Sequence, residues 1–252
     1  MSARRIALLR IAVIALAVTL LEALCRLQII DPLTMVPPSA MAVGLAELLA
    51  SGKATADILA TARVVTIAIA ASIVLGIVFG IWLHSAPRLK RAVAPLLTSY
   101  YAVPVFVFYP TLILIFGLNE IPLVIVGAMF AIVVMAINTM NGLDRVPRSF
   151  EKTARVLRLS PLQTVAWILI PSAFPYLIAG VKLAVAYCFI GVIAAEFILS
   201  TVGLGHAIAF AYNEFENRTM YALMLLVLGS VTTINLLLYA FEQRLRRRRE
   251  RT

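Results

Sequence analysis

The sequence predicts an all-α integral membrane protein of about six transmembrane helices, and three observations predict it. Of 252 residues, 62% are hydrophobic and 13% charged, with a mean hydropathy of +0.99, well outside the range of a soluble domain. The apolar residues fall in long runs that approach or exceed the ~20 residues needed to cross the hydrocarbon core. Lys and Arg gather in alternate gaps between those runs, as short cytoplasmic loops require.

The first run, residues 6–24, follows Arg4 and Arg5. A charged start before an apolar stretch also fits a cleaved signal peptide, and "LLEALC" ending at Cys25 hints at a lipoprotein site. Leu24 is bulky where such a site needs a small residue, so a retained helix is expected. Next comes "MVPPSAMAVGLAELLASGKATAD", too polar and too short to span. Pro37 and Pro38 break the chain and Ser39 is placed to cap. Val43, Leu45, Leu48 and Leu49 give a short helix some apolar surface before Ser51-Gly52 ends it. A helix lying along the outer membrane surface is the expectation. The runs 64–83, 93–116, 122–140, 174–199 and 220–241 supply the remaining spans. Gly76 and Gly80, in "GIVFG", form a small-residue face that lets another helix approach closely.

With the N-terminus inside, 17 of the 22 Lys and Arg residues fall on the cytoplasmic side, including Arg4, Arg5, Arg88, Lys90, Arg91, Arg145, Arg148 and the run Arg246 to Arg249. Arg26, Lys53, Arg63, Lys182 and Arg218 remain, and Arg63 and Lys182 lie at or inside helix ends, from which they can snorkel. Glu22, Asp31, Glu47, Asp57, Glu120, Glu214 and Glu216 fall outside. An even number of helices with both termini cytoplasmic follows.

A net charge of +10 raises nucleic-acid binding, but the bases sit in short blocks between apolar runs, so no nucleic-acid partner is expected. Cys25 and Cys188 lie in or beside apolar segments and read as small buried residues. His84 and His206 are isolated, and no H-x-x-x-H, C-x-x-C or G-x-x-x-x-G-K-[ST] occurs. Neither a metal, a cofactor nor nucleotide hydrolysis by this chain is expected.

One stretch differs from the rest: "SFEKTARVLRLSPLQTVAWILIP", Ser149 to Pro171, basic and partly amphipathic in the longest cytoplasmic loop. On a helical wheel Phe150, Ala154 and Leu157 share one face and Lys152, Arg155 and Arg158 the opposite one, with Glu151 placed to pair with Arg155. Such a helix either lies on anionic headgroups or docks into a partner. A turn at Ser160-Pro161 into a second helical piece ending at Pro171, and a small Ala154 between bulkier apolar residues, favour a partner.

"EKTARVLRLSPLQTVAWILIP" resembles the cytoplasmic signature of binding-protein-dependent ABC importer permeases, which runs E-A-A, three residues, Gly, then about nine residues to an apolar-x-L-P ending. "VPPS" from Val36, "ILIFGL" from Ile113, "GLDRVPRSFEKTAR" from Gly142, "PSAFPYLIAGVKLAVAYCFIGVIAAEF" from Pro171 and "GLG" from Gly203 are similar to the nitrate, sulfonate and taurine branch. The resemblance implies a type I ABC importer permease architecture. It implies a coupling helix carried by Phe150, Glu151, Lys152, Ala154, Arg155, Leu157 and Arg158, seated in a groove of a separate ATPase subunit. Lys152 stands where the signature has Glu, Glu151 is one place early, and Arg158 stands where it has Gly. A Gly there permits a turn that a Cβ resists.

The implied partners are ABC ATPase subunits, a periplasmic or extracellular substrate-binding protein, a second permease chain and the lipid bilayer of the bacterial cytoplasmic membrane. The implied role is the path for a small solute such as a sulfonate, nitrate or a heterocycle, with the ATPase chemistry on another subunit. Tyr100, Tyr101, Asn138, Tyr187 and Asn235 are the polar candidates to line the path. Two other classes compete: a secondary transporter or channel working without ATP, for which Glu196 is the acidic candidate in the fifth span, and a membrane scaffold without a path. The expected organisation is an N-terminal helix and loop (1–35), an outer surface segment (36–57), a permease core (58–244) with a coupling loop near 142–171, and a basic tail (245–252).

Overall fold

The computed structural model describes residues 3–249, with the side chains of residues 3, 4, 6, 7, 101, 148, 151 and 245–249 outside the described set. In chain order the helices are α1 (Ala3–Arg26), α2 (Pro38–Ser51), α3 (Thr55–Ser85), α4 (Pro87–Ser99), α5 (Tyr109–Phe116), α6 (Glu120–Asp144), α7 (Arg148–Val156), α8 (Pro161–Thr164), α9 (Ile170–Leu199), α10 (Leu204–Asn213) and α11 (Asn217–Arg249). A π-helical turn, Val165–Leu169, joins α8 to α9, so that Pro161–Leu199 is one 39-residue helical run. Among the described residues, five helices are long and apolar enough to cross a bilayer: α1, α3, α6, the α8–α9 run and α11.

Residues 93–116, expected as one span, are not one helix. Pro95 lies inside α4, which stops at Ser99; two 3₁₀ turns follow, Tyr100–Ala102 and Val105–Phe108, with Pro104 between them; and α5 begins with Pro110 in its first turn. Each proline removes a backbone donor and its ring crowds the preceding turn; Pro95 is absorbed within α4, whereas the run is interrupted in the stretch holding Pro104 and Pro110.

The segment nevertheless crosses. Helices α3 and α6 run parallel: Gly76 abuts Met135 and Gly80 abuts Thr139, Arg63 in the third turn of α3 pairs with Glu120 at the start of α6, and His84 pairs with Asp144 at their last turns. The ~33 Å of α3 from Arg63 to Ser85, at 1.5 Å per residue, must therefore be retraced by the chain between Ser85 and Glu120. Six passages result, one of them broken.

Helix α9 is antiparallel to both: Gly142 lies against Ala173 and Tyr176, Gly180 against Met135 and Asn138, and Gly127 against Val192. The core sits where α3, α5, α6 and α9 meet, around Val64, Tyr109, Val126, Val185 and Val192. Built Cβ atoms at Gly76 and Gly80 would lie 2.5 Å and 2.6 Å from side chains of α6, so these two glycines set the separation of the pair. Cys25 and Cys188 are buried free thiols.

Two sides of the molecule can now be distinguished. One carries α2, whose Glu47 pairs with Arg218 at the start of α11 and whose Ser39 binds Glu22 of α1. Ser39 does not cap α2; Pro37 is the N-cap residue, and the Ser39 hydroxyl and amide both donate to Glu22 instead. Gly52, at φ +69°, ends α2 as expected. The other side carries α7. The first and last helices both have one end tied at the α2 side and lead away from it, as an even number of crossings requires.

Candidate functional site

Helix α7 is built to stand at a surface. Pro147 precedes it as N-cap residue, and its C-terminus closes by a Schellman turn in which Leu159 N–H donates to Ala154 C=O (3.0 Å) and Arg158 N–H to Arg155 C=O (3.0 Å). Arg158 sits at the left-handed position of that turn with φ +50°. The bend that the family signature assigns to Gly is thus made here by an arginine, at a cost of about 1–2 kcal/mol for an L-residue.

The face of α7 differs from the one the wheel gave. Ala154 is 3% exposed, turned in where α7 meets the π-helical turn, so it underlies the helix instead of facing out. Phe150 (45%), Val156 (81%) and Leu157 (62%) form the exposed apolar surface, with Lys152, Arg155 and Arg158 exposed around it. Val156 was missed because it falls between the two faces of an ideal wheel. The side chain of Glu151 lies outside the described residues, and with it the expected pair to Arg155.

The loop carrying α7 is fastened on two flanks. Asp144 accepts from Lys90 of α4 and lies 3.0 Å from Nδ1 of His84, the last turn of α3. Arg145 donates to the Tyr176 hydroxyl (2.9 Å) and lies 5.1 Å from the centre of that ring, on α9. Val146 is buried with Leu143, Leu169, Ala173 and Leu177. Displacing α7 therefore loads α3, α6 and α9 together. None of these distant pairs leaves a local sequence signal, although the Asp-Arg step is visible.

Beyond the loop, the expected second helical piece does not end at Pro171. Ser160 and Gln163 form a capping box, and the helix passes through Pro171 and Pro175 to Leu199. The π turn just before Pro171 widens the helix where the proline ring would crowd a regular turn.

The path candidates are scattered. Asn138 is half-buried on α6 at the Gly180 crossing and donates to its own helix at Val134 C=O (2.9 Å). Tyr187 stacks on Phe130 with centroids 5.6 Å apart. Tyr100 lies in the broken crossing, Asn235 is half-buried on α11, and the side chain of Tyr101 lies outside the described residues. None of them lines the apolar groove of about 650 Å³ between α9 and α11, whose walls include Phe106, Phe189, Phe197 and Met224.

Two intramembrane charges have partners that the sequence did not announce. Lys182, expected to snorkel, instead donates to Glu242 of α11 (2.6 Å) beneath the Tyr239 ring, and Arg63 donates to Glu120. Glu196 is 1% exposed and accepts from the Thr61 hydroxyl (2.9 Å) and from Gly205 N–H (2.9 Å). Thr61 accepts in turn from Leu204 N–H (2.8 Å), and Asp57 from Gly203 N–H (2.9 Å). Three side chains from α3 and α9 thus satisfy the first amides of α10, which accounts for the "GLG" run and for a buried acid.

Residues 72–251 match the family model described as binding-protein-dependent transport system inner membrane component. The chain belongs to that family. Among curated relatives it is 28% identical to the formylaminopyrimidine transport permease protein ThiX of Halalkalibacterium halodurans, over 65% of each chain. It is 32% identical to the nitrate import permease protein NrtB of Synechococcus elongatus, over 55% of this chain and 50% of that one. The matched region spans about half to two thirds of the length of these relatives. A chain of the inward-facing MetNI methionine ABC transporter has the same fold, with a TM-score of 0.60 at 20% identity, covering 77% of this chain and 94% of that one. The type I importer permease fold expected from the resemblance is thereby established, and with it a multi-pass membrane protein.

Proposed function

We propose that this family member is the permease subunit of an ATP-driven importer, carrying a small anion or heterocycle inward across the bacterial cytoplasmic membrane. The single observation that carries the reading is α7. It is a short helix on the side opposite α2, exposing Phe150, Val156 and Leu157 amid Lys152, Arg155 and Arg158, and joined by its flanking loop to α3, α6 and α9. A helix bound only to headgroups needs no such fastening. A lever does, because work done on it must reach the membrane helices.

In this reading the α7 side is cytoplasmic and both termini lie there, in agreement with the Lys and Arg distribution. A separate ATPase seats α7 in a groove. Closing on ATP moves α7, and the Asp144 and Arg145 ties carry the displacement into the core. A second permease chain completes the path, to which Tyr100, Tyr101, Asn138, Tyr187 and Asn235 are proposed to contribute. A soluble binding protein delivers solute on the α2 side. The named substrates of the relatives, nitrate and a formylaminopyrimidine, set the proposed solute class. The carrier without ATP loses its main support, because Glu196 is occupied in holding α10.

The test is reconstitution in liposomes with the ATPase and binding protein. Uptake that requires ATP and both proteins is expected; uptake by the chain alone, without nucleotide, contradicts the reading.

A further inference from the structure

Helices α9 and α11 meet along a seam that changes character along its length. Toward the α2 side it is the apolar groove of about 650 Å³, walled by Ala186, Ile190 and Ile193 of α9 and by Met224, Leu228 and Val231 of α11. The same two stripes continue toward the α7 side. Lys182 lies one turn before Ala186 on α9, and Asn235, Leu238 and Glu242 follow Val231 at helical spacing on α11. There the seam turns polar: Lys182 Nζ donates to Glu242 (2.6 Å) with the Tyr239 ring centre 5.7 Å away, and Asn235 is half-buried just above. At 1.5 Å per residue Lys182 is ~25 Å from the Leu199 end of α9, well inside the span.

Stability does not account for this pair. Two charges withdrawn from water are held at greater cost than apolar residues of the same volume, and ionisable groups inside a span mark solute or proton routes. The two partners are also unequally placed. Glu242 is 8% exposed but is followed at once by exposed Gln243 and Arg244, where α11 leaves its apolar stretch, so a small shift of the helix returns it to water. Lys182 lies between Val181 and Leu183 and is the sole Lys or Arg from Pro161 to Leu199; α11 has none between Arg218 and Arg244. Once the pair parts, Lys182 keeps its charge only with another anion beside it.

We propose that Lys182 is the anion-binding cation of the path and Glu242 its displaceable counter-ion. The solute takes the place of Glu242 when the α9–α11 seam opens, and Glu242 retakes Lys182 when it closes, expelling the solute. This rests on the import reading above and narrows its solute class. One cation in an apolar seam neutralises one charge, so the solute is a small monovalent oxyanion. A dianion leaves a net charge out of water, and a neutral heterocycle cannot displace a carboxylate. The compact ammonium, with three donors that rotate freely, suits a small oxyanion.

The experiment follows the thermal midpoint of the permease–ATPase complex in phosphatidylcholine nanodiscs, titrated with sodium nitrate or sodium sulfate at constant ionic strength. In the wild type nitrate must first displace Glu242, which lowers its apparent affinity by the fraction of open pairs. Glu242→Gln removes the competitor, so half-saturation should fall to at least about tenfold less nitrate, with a smaller response to sulfate. Lys182→Met/Glu242→Met should keep a midpoint close to the wild type and show no saturable response. In proteoliposomes with ATPase and binding protein, that double variant should take up ¹⁵N-nitrate or ³⁵S-methanesulfonate at least about tenfold more slowly than the wild type. Nitrate binding no tighter in Glu242→Gln than in the wild type, an equal response in the double variant, or wild-type uptake by that variant each overturns the proposal. A wild-type importer that moves a neutral solute and neither anion overturns it as well. Absence of any ATP-driven uptake refutes the import reading instead, and the nitrate titration, which needs no transport, still decides whether Lys182 holds an anion.

Discussion

Replacing Arg158 by glycine separates what the backbone of α7 needs from what its surface does. At φ +50° an L-residue pays about 1–2 kcal/mol relative to the right-handed region. Glycine removes that strain but loses about 0.5–1 kcal/mol more conformational entropy on folding. The Arg158 side chain is exposed, so its removal forfeits little packing. The net expectation is a turn more stable by about 0.5–1 kcal/mol, equivalent to a two- to fivefold shift in its opening equilibrium. The probe is the Leu159 amide, which donates to Ala154 C=O at 3.0 Å and exchanges with solvent when the turn opens. Its exchange should slow by that factor in Arg158→Gly and stay at the wild-type rate in Arg158→Ala, which removes the charge and keeps the Cβ. ATPase binding should weaken by at most about fivefold in both variants, since a solvated rim charge contributes about 0–1 kcal/mol. Equal Leu159 exchange in wild type and Arg158→Gly, or equal slowing in both variants, refutes the reasoning.

Three other outcomes follow from the packing and the charges. Gly80→Val should destabilise the α3–α6 pair by about 1–3 kcal/mol or more, because the new Cβ lies 2.6 Å from Thr139 Cβ and 2.8 Å from Ala136 C=O; the thermal midpoint in detergent should fall and the elution peak broaden. Lys182→Met removes the cation that lies 2.6 Å from the Glu242 carboxylate and should cost up to about 3 kcal/mol, most of which Lys182→Met/Glu242→Met should restore; a double-mutant cycle on thermal unfolding measures the coupling. Reporter fusions at Asp144 and Arg246 should read cytoplasmic and those at Gly52 and Asn213 the opposite side; a cytoplasmic Gly52 contradicts the six-passage topology.

Much of the fold was legible because a bilayer imposes length and charge rules on the sequence itself. The long runs became α1, α3, α6, α9 and α11, and "GIVFG" became a close helix crossing. The broken third passage was written in Pro104 and Pro110, but hydropathy does not weigh backbone donors. What stayed illegible depends on pairing between distant residues: the parallel registry of α3 and α6, the Lys182–Glu242 pair, and the three side chains that receive the first amides of α10.

The site divides the same way. The position and basic character of α7 could be read, and so could the demand for a left-handed residue at Arg158. Which apolar residue turns inward could not, because a wheel gives relative angles but not the side on which the helix rests. Ala154→Asp consequently reports on the fold of the loop, since Ala154 is covered by the chain, whereas Val156 and Leu157 report on docking.

The most direct measurement of the account is stoichiometric copurification of the ATPase with a Leu157→Asp variant, alongside binding-protein-stimulated ATP hydrolysis. Leu157 is 62% exposed, so the substitution should leave insertion and the Leu159 amide bond intact. Buried in a partner groove, the new carboxylate should cost several kcal/mol, and the ATPase should no longer copurify or be stimulated. A Leu157→Asp chain that inserts normally, retains the ATPase and imports solute at the wild-type rate would contradict the claim that α7 is the lever.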